Sequence, residues 1–283
     1  MTHRASPSAR RRRLGAELRK MREHAGMTVA YAAQQLGAEG ARVSNMESGR
    51  LGVSEERVRM LAAIYSCGDQ AYVDALAAMA TERGRGWWEE YRERMAVDAL
   101  DLAELEFHAV SLRAVQIMHV PGFLQTEEYA NAVFATAEPA LTPMQLRISV
   151  SYRLKRREVL DRDDPPQCTF LIHESALRME FGGPKVARGQ LERLLEASER
   201  DNVTVRAIPF SAGGFPHAGA SVAYVCGVVP QLDTVQLDAP TGVTFLDGET
   251  HLTNYRRILD RTEGLALTPE DTRDFIHAIA QRL

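Results

Sequence analysis

Between residues 10 and 82, apolar positions recur three and four residues apart in five short runs, each fenced by a glycine or a capping side chain. Leu14, Leu18, Met21 and Ala25 fall on one face of a helix that Gly26 ends. Thr28 caps a second helix, VAYAAQQL, and Gly37 terminates it. A third runs from about Glu39 to Ser48 and stops at Gly49. Ser54 opens a fourth that carries Val58, Leu61, Ala62 and Tyr65, and a fifth extends from about Ala71 to Glu82. Two short helices joined by so tight a turn predict a helix-turn-helix domain. Small Ala33 lets those two helices approach, and Gly37 can adopt the positive φ of the turn. Leu36, Val43 and Met46 fill the wedge between them.

Beyond residue 100 the pattern changes. DLAELEF is helical, and an extended run at Ala114–His119 is stopped by Pro121-Gly122. TEEYANAVFA is a helix behind the cap Thr126, and TPMQLRISVSYRLKRREVLDR is a longer one with a basic outer face. Cys168–Ile172, Val203–Pro209, Ala220–Cys226 and Val235–Leu237 are rich in β-branched residues and predict strands. GGPKVARGQLERLLEAS is a helix, and two more close the chain at 250–263 and 269–283. Strands and helices interleave without a regular βαβ rhythm, so the expected class is α+β. The expected organisation is a disordered tail at 1–9, an all-α five-helix helix-turn-helix domain at 10–83, a junction at 84–99 and a larger α+β domain at 100–283. The Gly-rich GRGWWEE, which holds both tryptophans, marks the junction.

Charge sharpens the division. Residues 1–66 carry 12 Lys and Arg against 6 Asp and Glu, or +6, so the remainder carries −10 to give the net −4. A small basic module ahead of an acidic body confines attraction for a polyanion to the front. Cys67, Cys168 and Cys226 are far apart and lack metal-ligand spacing, which predicts buried thiols in a reducing cytoplasm. No apolar run follows the basic N-terminus as a signal peptide requires, and no stretch reaches the ~20 apolar residues of a bilayer span. The sequence calls for no cofactor and no metal.

The third helix has the outline of a DNA-recognition helix, with unusual leading residues. Gly40 and Ala41 cannot make bidentate hydrogen bonds to bases. Gly40 allows a close backbone approach, and Ala41 can touch a thymine methyl. Asn45 suits an adenine edge, Glu39 a cytosine amine, and Arg42 a guanine or a phosphate. Ser44 shares that face, Thr28 at the start of the second helix is a further DNA-contact candidate, and the basic stretch Arg10–Arg13 with Arg50 supplies phosphate contacts that position the module. One such motif reads few bases, so a homodimer spanning two half-sites of double-stranded DNA is expected.

These residues resemble the Xre-type, lambda-repressor-like family over about residues 10–80. That family commonly pairs an Arg of its first helix with a Glu late in the recognition helix. The resemblance implies that Arg22 and Glu47 form a buried structural bridge. It departs at Val29, where the family often has Gln. A second resemblance covers about residues 100–283: HVPGFLQTEEYANAV, RLKRREVLDRDDPP, HESALRMEFGGP, QLERLLEASERDNVTVRAIPF and HLTNYRRILDRTEGLALTPEDTRDFI occur in that order. They look like the C-terminal domain of the actinobacterial WhiJ-like regulators, some described as antitoxin-like. The resemblance implies a transcription regulator whose large domain receives a small protein encoded nearby, or a small ligand. The alternative it implies is an antitoxin-like protein that chiefly sequesters that partner and binds DNA only for autoregulation.

A catalytic reading is weaker. His173-Glu174 could be half of an acid–base pair, but no nucleophile in a glycine elbow and no HExxH accompanies it. A capping pair before a helix is the simpler account. The loop SAGGFPHAGA lacks the GK[ST] of a phosphate loop, and His217 within it is a candidate contact residue. Trp87 and Trp88 suit interdomain packing or a partner surface. No enzyme is expected.

Overall fold

A computed structural model describes residues 7–82, 86–239 and 242–283. Most of the N-terminal tail and the first residues of the GRGWWEE junction therefore lie outside the described residues. The chain forms two compact units divided between Trp87 and Trp88.

The first unit contains five helices: α1 (Ala9–His24), α2 (Val29–Leu36), α3 (Gly40–Glu47), α4 (Glu55–Ile64) and α5 (Gln70–Thr81). Ser8, Thr28, Ser54 and Asp69 each accept a backbone N–H at a helix start, satisfying one of the donors that the first turn leaves open. Gly37 sits in the left-handed region at φ 61°, and Ala38 N–H returns to the Ala33 carbonyl, which ends α2 and turns the chain into α3. Leu18, Ala33, Val43, Met46, Val58, Leu61 and Leu76 form the buried centre. Two glycines bring α1 against the end of α3. A Cβ on Gly15 would stand 2.6 Å from the carbonyl oxygens of both Met46 and Glu47, and one on Gly49 would meet the Arg11 carbonyl at 2.8 Å.

The second unit is a helix-covered mixed sheet. It comprises α6 (Val97–Phe107), β1 (Ser111–Gln116), α7 (Glu127–Ala135), α8 (Pro143–Arg156), β2 (Gln167–His173), α9 (Glu174–Arg178), α10 (Pro184–Ala197), β3 (Val203–Ile208), β4 (Val222–Cys226), β5 (Thr234–Ala239), β6 (Gly242–Leu246), α11 (Glu249–Glu263) and α12 (Pro269–Ala280). The strand order is β3-β2-β1-β4-β5-β6. β1, β2 and β3 are parallel, whereas β4, β5 and β6 continue antiparallel. The α+β class holds, although the parallel half is a run of two helical crossovers that the sequence pattern did not show as one. One face of the sheet, with Ala114, Phe170, Ile172 and Val205, packs on Leu191, Leu194, Ile276 and Ile279 of α10 and α12. The opposite face, with Val115, Leu171, Ile208 and Tyr224, packs on Leu252, Tyr255 and Leu259 of α11.

The strands differ from the pattern-based expectation most at β1 and β6. β1 runs over Ser111–Gln116, not Ala114–His119, because its backbone pairs with β2 and β4 from Ser111 onward, while Arg113 pairs with Asp260 and Glu263 at 2.8 and 2.7 Å. β6 has no counterpart in the sequence pattern: no residue of this short strand, which lies beside β5 at the end of the strand order, is fully buried. Cys168 is buried, and burial pushes its thiol up to about 12. Cys67 and Cys226 are only half-buried.

Candidate nucleic-acid interface

Helix α3 presents two faces. Val43 and Met46 point inward, 1% and 2% exposed, while Ala41, Arg42, Ser44 and Asn45 lie on the exposed side. Glu39, in front of the helix, is exposed and makes no side-chain cap. The first turn of α3 therefore has no side chain closing its amides, and an anion there would find open N–H donors. Gly40 is half-buried, with the nearest atom to a hypothetical Cβ at 3.8 Å on Val29. Arg42 and Arg50 are exposed and form no ion pair among the described residues. Thr28 is exposed at the start of α2, with its hydroxyl accepting from Tyr31 N–H at 3.2 Å.

The helix is held from behind. Arg22 of α1 forms a two-pronged pair with Glu47, Nε to Oε1 at 2.6 Å and Nη2 to Oε2 at 2.9 Å. Both side chains are 7% exposed. The remaining arm of Arg22 donates to the Met27 carbonyl at 2.7 Å, which ties in the turn between α1 and α2. The hydrogen bonds to Glu47 raise the Arg22 pKa further, so this guanidinium stays charged. Breaking one side of a buried pair of this kind costs about 3–5 kcal/mol, because the other charge stays behind. Tyr65 packs nearby with its hydroxyl buried and unpartnered, and burial pushes it up to about 12.

Arg13 is placed differently from the other residues proposed to face a duplex. Its guanidinium turns onto Glu17 at 2.6 Å. Glu17 is 2% exposed and also receives Lys20 at 2.8 Å and the Tyr72 hydroxyl at 2.5 Å. The buried carboxylate draws the cations toward α5, so Arg13 serves this network and its charge is spent within the unit. Arg10 is likewise paired with Glu82. Neither Glu17 nor Gly15 stands out in the sequence as a site residue. A glycine inside a helical run is a signal of close packing, but the partner helix cannot be read from it.

Trp87 closes the first unit, whereas Trp88, His173 and His217 lie in the second. Trp88 is 5% exposed and packs edge-on against Phe107 at 5.2 Å, close to His108. Trp87 is half-buried. His173 caps α9 by accepting from Ser175 N–H, and its ring lies between Phe210 and Phe215. Burial lowers its pKa. Glu174 is taken by Arg178 at 2.6 Å and by the Phe210 amide at 2.7 Å. His217 adopts φ 62° with its ring edge-on to Tyr255, and its Nε2 is buried without a partner. The Ser175 hydroxyl lies 2.6 Å from His173 Nδ1 but donates to the Ile117 carbonyl at 2.5 Å, and among the described residues no three His, Cys, Asp or Glu side chains converge as a metal site requires.

Five helices with an outward-facing third helix define the class: a protein with a helix-turn-helix domain, and residues 13–76 match the family model of that description. Residues 99–278 match a second model, described as a domain of unknown function (DUF5753), and because this spans more than half of the chain the protein belongs to that family. No curated protein and no solved structure matches the chain. The helix-turn-helix domain points to a DNA-binding regulator. No helix among the described residues is long and apolar enough to cross a membrane.

Proposed function

We propose that the chain is a sequence-specific transcriptional regulator of Xre type, and that α3 enters the major groove of double-stranded DNA. The observation that carries this reading is the exposed row Ala41, Arg42, Ser44 and Asn45 on a helix whose opposite face is locked by Val43, Met46 and Glu47. Asn45 reads an adenine edge, Arg42 a guanine or a phosphate, and Glu39 a cytosine amine. Thr28, the uncapped start of α3 at Gly40 and Ala41, and Arg50 position the module on the backbone. With so few base-reading side chains, the working form is a homodimer on two half-sites.

The second unit is the effector half, and it takes a small protein partner or a small ligand that changes DNA affinity, as in the actinobacterial WhiJ-like group that its sequence resembles. Residues 10–83 are thus the DNA-binding domain and 100–283 the receiving one, joined by 84–99. Such coupling is reciprocal: DNA must change partner affinity by the same factor that the partner changes DNA affinity. Measured by fluorescence anisotropy over a salt series, Arg42→Ala weakens operator binding by about 1–3 kcal/mol and relaxes one base position if it reads a base. If Arg42 is a phosphate clamp, binding falls uniformly and the salt slope drops by about 0.9. No loss in either form removes α3 as the docking element. Co-purification of a neighbour-encoded protein that leaves operator affinity unchanged would favour the antitoxin-like alternative.

A further inference from the structure

Two buried arginine forks in this molecule are closed by carboxylates, and that of Arg162 by the backbone carbonyls of Phe107, Ala109 and Asp164. Arg22 grips Glu47 through Nε and Nη2, and Arg156 of α8 grips Glu106 of α6 in the same way, with Nε 2.8 Å from Oε2. Arg153, one turn earlier on α8, has its fork open. Its Nη1 donates to Oε1 of Gln125 at 2.8 Å, and its guanidinium carbon lies 4.3 Å from the centre of the Phe134 ring. Nε is buried and has no acceptor, and Nη2 makes no hydrogen bond among the described residues. Gln125 is 1% exposed and its Nε2 is tied to the Val120 carbonyl at 2.8 Å, so its oxygen is held toward Arg153.

The surroundings do not neutralise this cation. Glu106 is committed to Arg156. The charge of Asp238 reaches Arg153, but Asp238 is exposed, accepts from Gln236, and makes no bond to the guanidinium. Burial and the neighbouring Arg156 push Arg153 down to about 10. His119, half-buried against Phe181, is also held below its ordinary value by burial and by the charge of Arg153. A side chain on Gly122 would begin 3.9 Å from the open Nε. His119, Gly122 and Gln125 belong to the segment that leaves the carboxyl end of the parallel strand β1, the edge at which sheets of this kind commonly receive ligands.

We propose that the Nε/Nη2 fork of Arg153 anchors the oxyanion, carboxylate or phosphate, of a small-molecule ligand in a site bounded by His119, Gly122, Gln125 and Phe134. A buried charged donor without an acceptor is costly, and a carboxylate or a phosphate supplies two acceptor oxygens in the geometry that a guanidinium fork fits. Phe134 covers one side of the guanidinium plane, and Gln125 fixes its rotation. Gly122 leaves room where a side chain would stand. The ligand is thus gripped by an arginine already set in place, which limits the ordering cost of binding. This deepens the effector half of the proposed function and rests on that reading, but the site needs no DNA to be tested.

The test is NMR of the full chain labelled with 15N-arginine, following the Arg153 Nε–H resonance while inorganic phosphate or benzoate is added at constant ionic strength in chloride. The Arg153→Lys variant identifies the resonance. A saturable shift with at least one of the two anions is expected, and which one responds separates a phosphate from a carboxylate ligand. In calorimetry, Arg153→Gln and Gly122→Leu each weaken that binding at least tenfold, and Arg147→Gln, on the exposed part of the same helix, leaves it unchanged. Gly122→Leu keeps the test valid if Arg153→Gln fails to fold. A saturable response with neither anion, or binding that survives Arg153→Gln or Gly122→Leu, overturns the proposal. Measured without DNA, that failure is separate from any failure of DNA binding.

Discussion

Replacing Arg22 by leucine isolates what holds the recognition helix in place. The change removes both arms of the pair with Glu47, at 2.6 and 2.9 Å, and the bond to the Met27 carbonyl. Glu47 is left 7% exposed with no cation of equal geometry. The expected cost is about 3–5 kcal/mol. A unit of this size is worth only about 4–11 kcal/mol in total, so the variant sits close to unfolding. Removing both charges together should cost far less, because no uncompensated group remains. Hydrogen exchange read by mass spectrometry on the full chain separates the units. In Arg22→Leu, amides of α1, α2 and α3 should exchange roughly two to four orders of magnitude faster, from tenfold per about 1.4 kcal/mol. Those of β1, β2 and β3 should be unaffected. Arg22→Leu/Glu47→Leu should recover most of the protection. A single variant that exchanges like wild type, or a double variant as fast as the single one, would refute the idea that this pair sustains α3.

Gly15→Ala should cost about 1–3 kcal/mol in the first unit by forcing α1 off the Met46 and Glu47 carbonyls, and should lower DNA affinity with it; the matched Gly189→Ala in α10, where nothing lies within 4 Å, should stabilise by about 1 kcal/mol in urea titrations. Equal effects at the two sites would contradict the close approach of α1 to α3. Acid should weaken the second unit. Burial lowers the pKa of His119 and His173, so below the ordinary value near 6.5 the unfolded chain binds more protons than the folded one and stability falls as pH falls. Each contributes at most about 1.4 kcal/mol per pH unit, and that contribution levels off below the folded value. Urea midpoints followed by Trp88 fluorescence in a Trp87→Phe background should decline between pH 6.5 and 5, and His119→Gln with His173→Asn should flatten that decline; a decline of equal slope in the double variant assigns it elsewhere.

How much of this could be read from the chain depended on how local the cause was. Thr28, Ser54 and Gly37 act within one turn, so caps and breaks appear in the sequence where the structure has them. Val43 and Met46 announce a buried face by spacing alone. Gly15 does not, because its reason is a backbone 31 residues further on. The turn of Arg13 toward Glu17 depends on Tyr72 and Lys20 converging on one buried carboxylate, which no linear pattern records. The parallel half of the sheet was obscured because short 3-10 turns at Gly122–Leu124 and Arg157–Asp161 interrupt its first crossover. Arg153 looked like one more cation of a basic helix face. Only its neighbours Gln125 and Phe134, 28 and 19 residues earlier in the chain, distinguish it.

The most direct measurement of the central claim is selection of duplexes from a randomised pool by the full-length protein, repeated with Arg42→Ala and Asn45→Ala. Wild type should enrich a motif of two related half-sites about one helical turn apart. Each variant should lose preference at its own base position while the rest of the motif persists. A pool that stays random under wild type, or an enriched motif indifferent to both substitutions, would contradict the assignment of α3 as the element that reads DNA.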